Sequence, residues 1–208
     1  MKREIKIPVP AVTLEGTLAV PENATGVVLF AHGSGSGRFS PRNMFVAREL
    51  EKAGIATLLI DLLTEKEDEV YETRFDIGLL TERLGRVVSW LEKERELKDL
   101  AVGLFGASTG AAAALQVVAR FPSRIAAVVS RGGRPDLAME ELDKVTSPTL
   151  LIVGGEDYGV IELNEQALAA LHCEKKMEIV PGATHLFEES GTLEQVAELA
   201  VVWFKKYL

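Results

Sequence analysis

Among 208 residues there is one cysteine, Cys173, and there are only three histidines. A single thiol excludes an internal disulfide and fits a reducing compartment. Three imidazoles leave few candidates for any site that needs a base or a nitrogen ligand. Basic charge is also scarce: 23 Lys and Arg stand against 31 Asp and Glu, a formal net charge of −8. With no dense basic cluster, nucleic acid is not expected as a partner. No run approaches the roughly 20 apolar residues of a membrane helix. The opening stretch MKREIKIPVPAVTLEG alternates charged and apolar residues and lacks the apolar core of a signal peptide. A cytoplasmic location without membrane attachment is therefore the expectation.

What is present is an ordinary globular composition, 47% hydrophobic and 26% charged. The length suits a single domain, 1–208, with a sizeable core. No internal repeat or linker divides it. Two alternating segments, 2–7 and 12–20, read as an antiparallel pair at a sheet edge. Short continuous apolar runs follow at 26–31, 54–60, 100–105, 124–130, 148–154 and 176–182. Runs of this length, rich in Val, Ile and Leu, are typical of strands buried on both faces. Helices are expected between them, over 41–53, 74–96, 109–120, 136–144, 161–172 and 192–207. In the last, Thr192 is the expected N-cap and Gln195 its capping-box partner. The acidic run EKEDE (65–69) reads as a solvated loop. Strand–helix alternation implies a mostly parallel sheet covered on both faces, with ligands beyond the carboxyl ends of its strands.

One such end carries Gly106-Ala107-Ser108-Thr109-Gly110, a G-x-S-x-G pattern between a predicted strand and an alanine-rich helix. In this motif the serine sits on a turn so tight that bulk two residues to either side would collide. A serine hydroxyl is a weak nucleophile and needs a base. His172 falls near a helix end, and His32 lies in the glycine-rich loop AHGSGSG, where bracing is its simplest role. His185 follows the last strand, in the chain order nucleophile, acid, histidine. Asp157, in VGGED just past the strand 148–154, is the matching carboxylate; Glu156 fits less well. Oxyanion donors are expected from the Thr109 amide and from the bare loop 33–37, with the Ser34 amide favoured over Gly33.

With AHGSGSGRFSPRN, FGASTGAAAAL, VGGED and PGATHLFEE in this order, the chain resembles the α/β-hydrolase superfamily and, within it, the dienelactone-hydrolase-like branch. The resemblance implies a three-layer sandwich on an eight-stranded, mostly parallel sheet, with a Ser108–Asp157–His185 triad and no metal or organic cofactor. The namesake enzymes use a cysteine nucleophile. Serine at position 108 favours a serine esterase over a lactone hydrolase.

Only residues 131–147 separate two predicted strands where relatives carry a cap, so no large cap domain is expected. An open pocket suits a small-molecule ester with a short chain. Arg131 and Arg134, at a strand's carboxyl end, are candidates to hold a substrate carboxylate or phosphate, or else structural ion pairs. Arg38 and Arg42 flank the oxyanion loop and have the same two readings. Other readings keep the triad but change the acceptor: thioesterase, acyltransferase or perhydrolase. A non-catalytic hydrolase-fold binding protein is a further alternative, as is a nucleotide site built on GSGSG and Asp61. In the last, Arg38 stands where a third glycine belongs. Oligomeric state is not legible.

Overall fold

The computed structural model describes residues 1–122 and 124–208. Eight strands, β1 (Lys2–Val9), β2 (Val12–Ala19), β3 (Gly26–Ala31), β4 (Ala56–Ile60), β5 (Ala101–Ala107), β6 (Ala127–Arg131), β7 (Thr149–Gly154) and β8 (Lys175–Val180), form one sheet. Their order is β1-β2-β4-β3-β5-β6-β7-β8. The β1–β2 and β2–β4 pairs are antiparallel and every other pair is parallel. The expected edge hairpin and parallel core are both present.

Residues of the central strands alternate between two cores. From β3, Val27, Leu29 and Ala31 enter one, while Val28 and Phe30 enter the other. Pleating sends successive side chains to opposite faces, so a strand covered on both sides must be apolar throughout. The helices α1 (Pro41–Lys52) and α6 (Thr192–Tyr207) cover the Phe30 face. The helices α3 (Ile77–Leu91), α4 (Thr109–Arg120) and α5 (Tyr158–Ala170) cover the Leu29 face. The result is the three-layer sandwich that the alternating pattern implied.

Local departures have local causes. The acidic run is not a loop: it forms a short helix, α2 (Glu65–Asp68), closed by a capping box between Thr64 and Glu67. Glu67 also pairs with Arg83 on α3, and that hydrogen bond holds its carboxyl down at about 2. The long helix expected over 74–96 is split, because the Asp76 side chain accepts the Leu79 amide and starts α3 at Ile77. A 3₁₀ turn, Glu72–Phe75, precedes it. Thr192 is not the cap of α6. Gly191 stands there with φ 81°, and the Thr192 hydroxyl donates to the Glu189 carbonyl. Residues Pro135–Lys144 form a 3₁₀ helix that buries Pro135, Ala138 and Leu142. Among the described residues no cap domain stands over the carboxyl ends of the strands.

Phe204, in the last turn of α6, is fully buried against the sheet. Phe204→Ala is expected to cost about 3–5 kcal/mol, read from the denaturant midpoint at unchanged slope.

Candidate active site

β5 ends in the turn that the glycines of GASTG foreshadow. Ser108 has φ 50° and ψ −120°, a region costly for any residue with a β-carbon. The chain holds it there because both flanking glycines are pressed against backbone. A β-carbon on Gly106 would lie 2.7 Å from the Ala111 nitrogen. One on Gly110 would strike the Ala31 carbonyl oxygen and lie 2.5 Å from that of His32. α4 thus leaves β5 pressed against the end of β3, and Ser108 stands half-buried between β5 and α4.

The acid and the histidine meet through neighbouring strands. After β7, the Gly155 amide donates to the Val180 carbonyl (2.8 Å) and the Glu156 amide to that of Ala183 (2.9 Å). These two bonds staple the turn after β7 to the loop after β8. Asp157, at the head of α5, makes no capping bond there; its Oδ2 lies 2.6 Å from His185 Nδ1. Glu156 faces solvent and accepts from the Tyr158 hydroxyl. The histidine loop is braced by Glu189, whose two oxygens receive the Thr184 amide and hydroxyl. Phe187, buried with φ 55°, anchors it beneath.

Ser108 joins this pair by way of β6. Its amide donates to the Arg131 carbonyl (3.2 Å), and the next residue, Gly132, abuts the imidazole. A β-carbon on Gly132 would lie 3.5 Å from His185 Cε1 and Nδ1. The three side chains therefore share one end of the sheet. Among the described residues the Ser108 hydroxyl makes no side-chain hydrogen bond, and the recorded side-chain partner of His185 is Asp157.

The glycine-rich loop after β3 departs from expectation at one atom. The Ser34 amide is not free: it donates to Thr109 Oγ1 at 3.0 Å. The favoured donor is thus already satisfied by the side chain of the residue whose amide was the other expected donor. The Thr109 amide itself is the first of α4 and has no acceptor within the helix. His32 braces the loop as expected. Its Nδ1 bonds the Gly33 carbonyl and its Nε2 accepts the Leu62 amide, which fixes the neutral ring with the proton on Nδ1. Burial lowers its pKa below the ordinary 6.5, against opposing pulls from that carbonyl and from Asp61 and Asp68. His172 is exposed.

The arginines divide. Arg134 is spent on Asp136, with two parallel bonds of 2.8 Å, and so is a structural pair rather than a free substrate fork. Arg38 is held by Asp61, Glu15 and Glu4, which also removes Asp61 from any ribose-binding role. Arg42 pairs with Glu188. Arg131 has neither an ion pair nor a hydrogen bond to its guanidinium among the described residues, although only 6% of the residue is exposed. Beside the loop lies a cleft of about 400 Å³ lined by His32, Ser36, Asp61, Leu63, Glu65, Asp68, Glu69 and Arg74. Sequence reasoning missed this cleft and the two braces Thr109 and Glu189. The cleft forms only once α2 is folded.

A strand–serine–helix elbow on a parallel sheet, with an Asp–His pair at the ends of the next strands, defines an α/β hydrolase. The chain matches the dienelactone hydrolase family over residues 14–207 and belongs to it. It is similar to a solved dienelactone hydrolase from Anabaena variabilis, with 53% identity, a TM-score of 0.98, and coverage of 100% of this chain and 98% of that one. Est1E from Butyrivibrio proteoclasticus shares the fold at a TM-score of 0.84 and 16% identity, over 98% of each chain. Proteins of two Mycobacterium tuberculosis strains, provisionally named phosphoribosyl transferases, are 53% identical over 205 residues. That match takes in 99% of this chain and 46% of theirs, so the chain spans about half their length. That name is given to those longer proteins as wholes. No helix among the described residues is long and apolar enough to cross a membrane.

Two outcomes follow from this packing. Gly110→Ala should lower stability by about 1–3 kcal/mol or more in denaturant unfolding, since backbone and not a flexible side chain must move. The unfolded chain binds a proton at His32 near pH 6.5, and the folded chain resists it. The His32 contribution to stability is therefore complete above that pH and declines below it. Melting temperatures measured downward from about pH 7 should fall less steeply in His32→Gln than in the wild type.

Proposed function

We propose that the chain is a serine hydrolase of small or short-chain carboxylic esters, working through an acyl-enzyme on Ser108. The observation that carries this reading is the 2.6 Å Asp157–His185 bond, set beside a strained and half-exposed serine. An aspartate on Nδ1 selects the tautomer whose Nε2 is a free base, and it stabilises the imidazolium that forms. His185 takes the Ser108 proton as the hydroxyl oxygen attacks the ester carbonyl. The carbonyl π bond becomes a tetrahedral oxyanion facing the Thr109 amide. The Ser34 amide joins it when the Thr109 hydroxyl turns aside. Collapse of the oxyanion expels the alcohol, which leaves with the proton from His185. Water then attacks the acyl-enzyme by the same route, its proton passing through His185 to Ser108 as the acid departs.

The substrate reading rests on space. With only the short 3₁₀ segment Pro135–Lys144 where a cap would stand, the site is open and suits a small ester better than a long acyl chain. The acceptor in the second half is water on this reading. The cytoplasm is its proposed location, in keeping with the lone cysteine.

A fluorophosphonate probe should label Ser108 rapidly, as mapped by peptide mass, and absence of labelling overturns the proposal. Against a series of p-nitrophenyl esters, activity should fall as the acyl chain lengthens. Ser108→Ala or His185→Ala should each lower kcat by about 10³–10⁶, and the double variant should be little worse than either. Losses that multiply would show that the two do not act as one unit. Asp157→Asn should lower kcat by up to about 10⁴ while leaving KM nearly unchanged.

A further inference from the structure

Arg131 is the one guanidinium of this site for which the fold supplies no carboxylate among the described residues. It ends β6, and alternation along that strand (Ala127 and Val129 to the α1–α6 face) sends its side chain to the same side. There its guanidinium carbon lies 5.7 Å from the Phe187 ring centroid, two residues beyond His185. Arg42, at the start of α1, approaches from the same side and adds a second positive charge. Burial together with Arg42 draws the Arg131 guanidinium down to about 10, which still leaves it charged at neutral pH. Its Nε is sealed from solvent without a partner, and so is the Nε of Arg42. Glu188 neutralises Arg42 alone, at 2.8 Å.

A buried charge left unpaired is costly, and structures retain one where a ligand completes it. The arrangement of the open donors indicates which ligand: they lie on two side chains, Arg131 and Arg42. A planar carboxylate is matched by one guanidinium fork, whereas the three terminal oxygens of a phosphate monoester leave a further oxygen for the second arginine. The cleft beside the glycine-rich loop is lined by Asp61, Glu65, Asp68 and Glu69 against the single cation Arg74, an excess of negative charge that repels a dianion. Charge thus divides the site into an acidic side and a basic side.

We propose that Arg131, supported by Arg42, binds a phosphate group carried by the ester substrate, so that the hydrolase selects phosphorylated esters. This rests on the hydrolase reading above and assigns its substrate class. The Arg131 backbone receives the Ser108 amide, and Gly132 beside it abuts His185, so Arg131 belongs to the strand end that carries the proposed reacting groups.

The test uses inorganic phosphate and acetate as probes of the intact protein, followed by calorimetry and thermal shift. Saturable binding of phosphate in preference to acetate is expected, weakened at least about tenfold in Arg131→Met and partly retained in Arg131→Lys. In phosphate-free buffer Arg131→Met should melt no lower than the wild type, because it removes an unpaired buried charge; a purely structural arginine would do the reverse. The ratio of kcat/KM for 4-acetoxyphenyl phosphate to that for phenyl acetate should fall about tenfold in Arg131→Met. The proposal is overturned if phosphate does not saturate, if acetate binds as well, if Arg131→Met binds phosphate like the wild type, or if that variant melts lower. Failure of the hydrolase reading shows separately, as a wild-type Ser108 that a fluorophosphonate leaves unlabelled while phosphate still binds.

Discussion

The contact of Gly110 with the carbonyl oxygens of Ala31 and His32 is the constraint from which the site follows. It leaves no room for a side chain, so the first turn of α4 must lie directly on the end of β3. That contact places the Thr109 hydroxyl against the Ser34 amide and the β-carbon of Ser108 against Gly33. The strain at Ser108 is sustained from both sides, by the sheet through β5 and by the helix through this contact. A looser elbow would let the serine relax into ordinary helix and withdraw its hydroxyl from the edge of the sheet.

The other half of the site depends on strand adjacency rather than a tight turn. β7 and β8 are parallel neighbours, so the turns leaving them emerge side by side and exchange backbone hydrogen bonds. Asp157 then reaches His185 across a short gap, although 27 residues intervene along the chain. The Thr184–Glu189 bonds and the buried Phe187 make the histidine loop self-supporting. The two halves meet at the end of β6, where the Arg131 carbonyl accepts the Ser108 amide and the next residue, Gly132, abuts the imidazole.

Much of this was legible in the sequence, for identifiable reasons. Continuous apolar runs marked the parallel strands because burial on both faces admits nothing else. GASTG marked the elbow because only glycine tolerates backbone at that distance. Chain order singled out Asp157 and His185. What escaped were choices between equally available partners. Ser34 offered a free amide on paper, but a neighbouring threonine hydroxyl reached it first. Arg131 and Arg134 looked alike; one found Asp136 two residues away and the other found nothing. The Thr64–Glu67 box was written in the letters, yet the acidic run around it outweighed the spacing. Gly191 displaced Thr192 as cap because the turn there needs a left-handed residue.

The order in which the parts appear along the chain has a consequence for synthesis. The elbow and the glycine-rich loop come from β3 and β5 at the centre of the sheet, whereas the imidazole is borne on the connection after β8, the last of the eight strands in chain order and the outermost on its side. On the proposed reading, a ribosome-bound chain can assemble its nucleophile well before it possesses a base. The hydroxyl stays inert until the connection after β8 has emerged, and reactivity arrives only as that edge of the sheet docks.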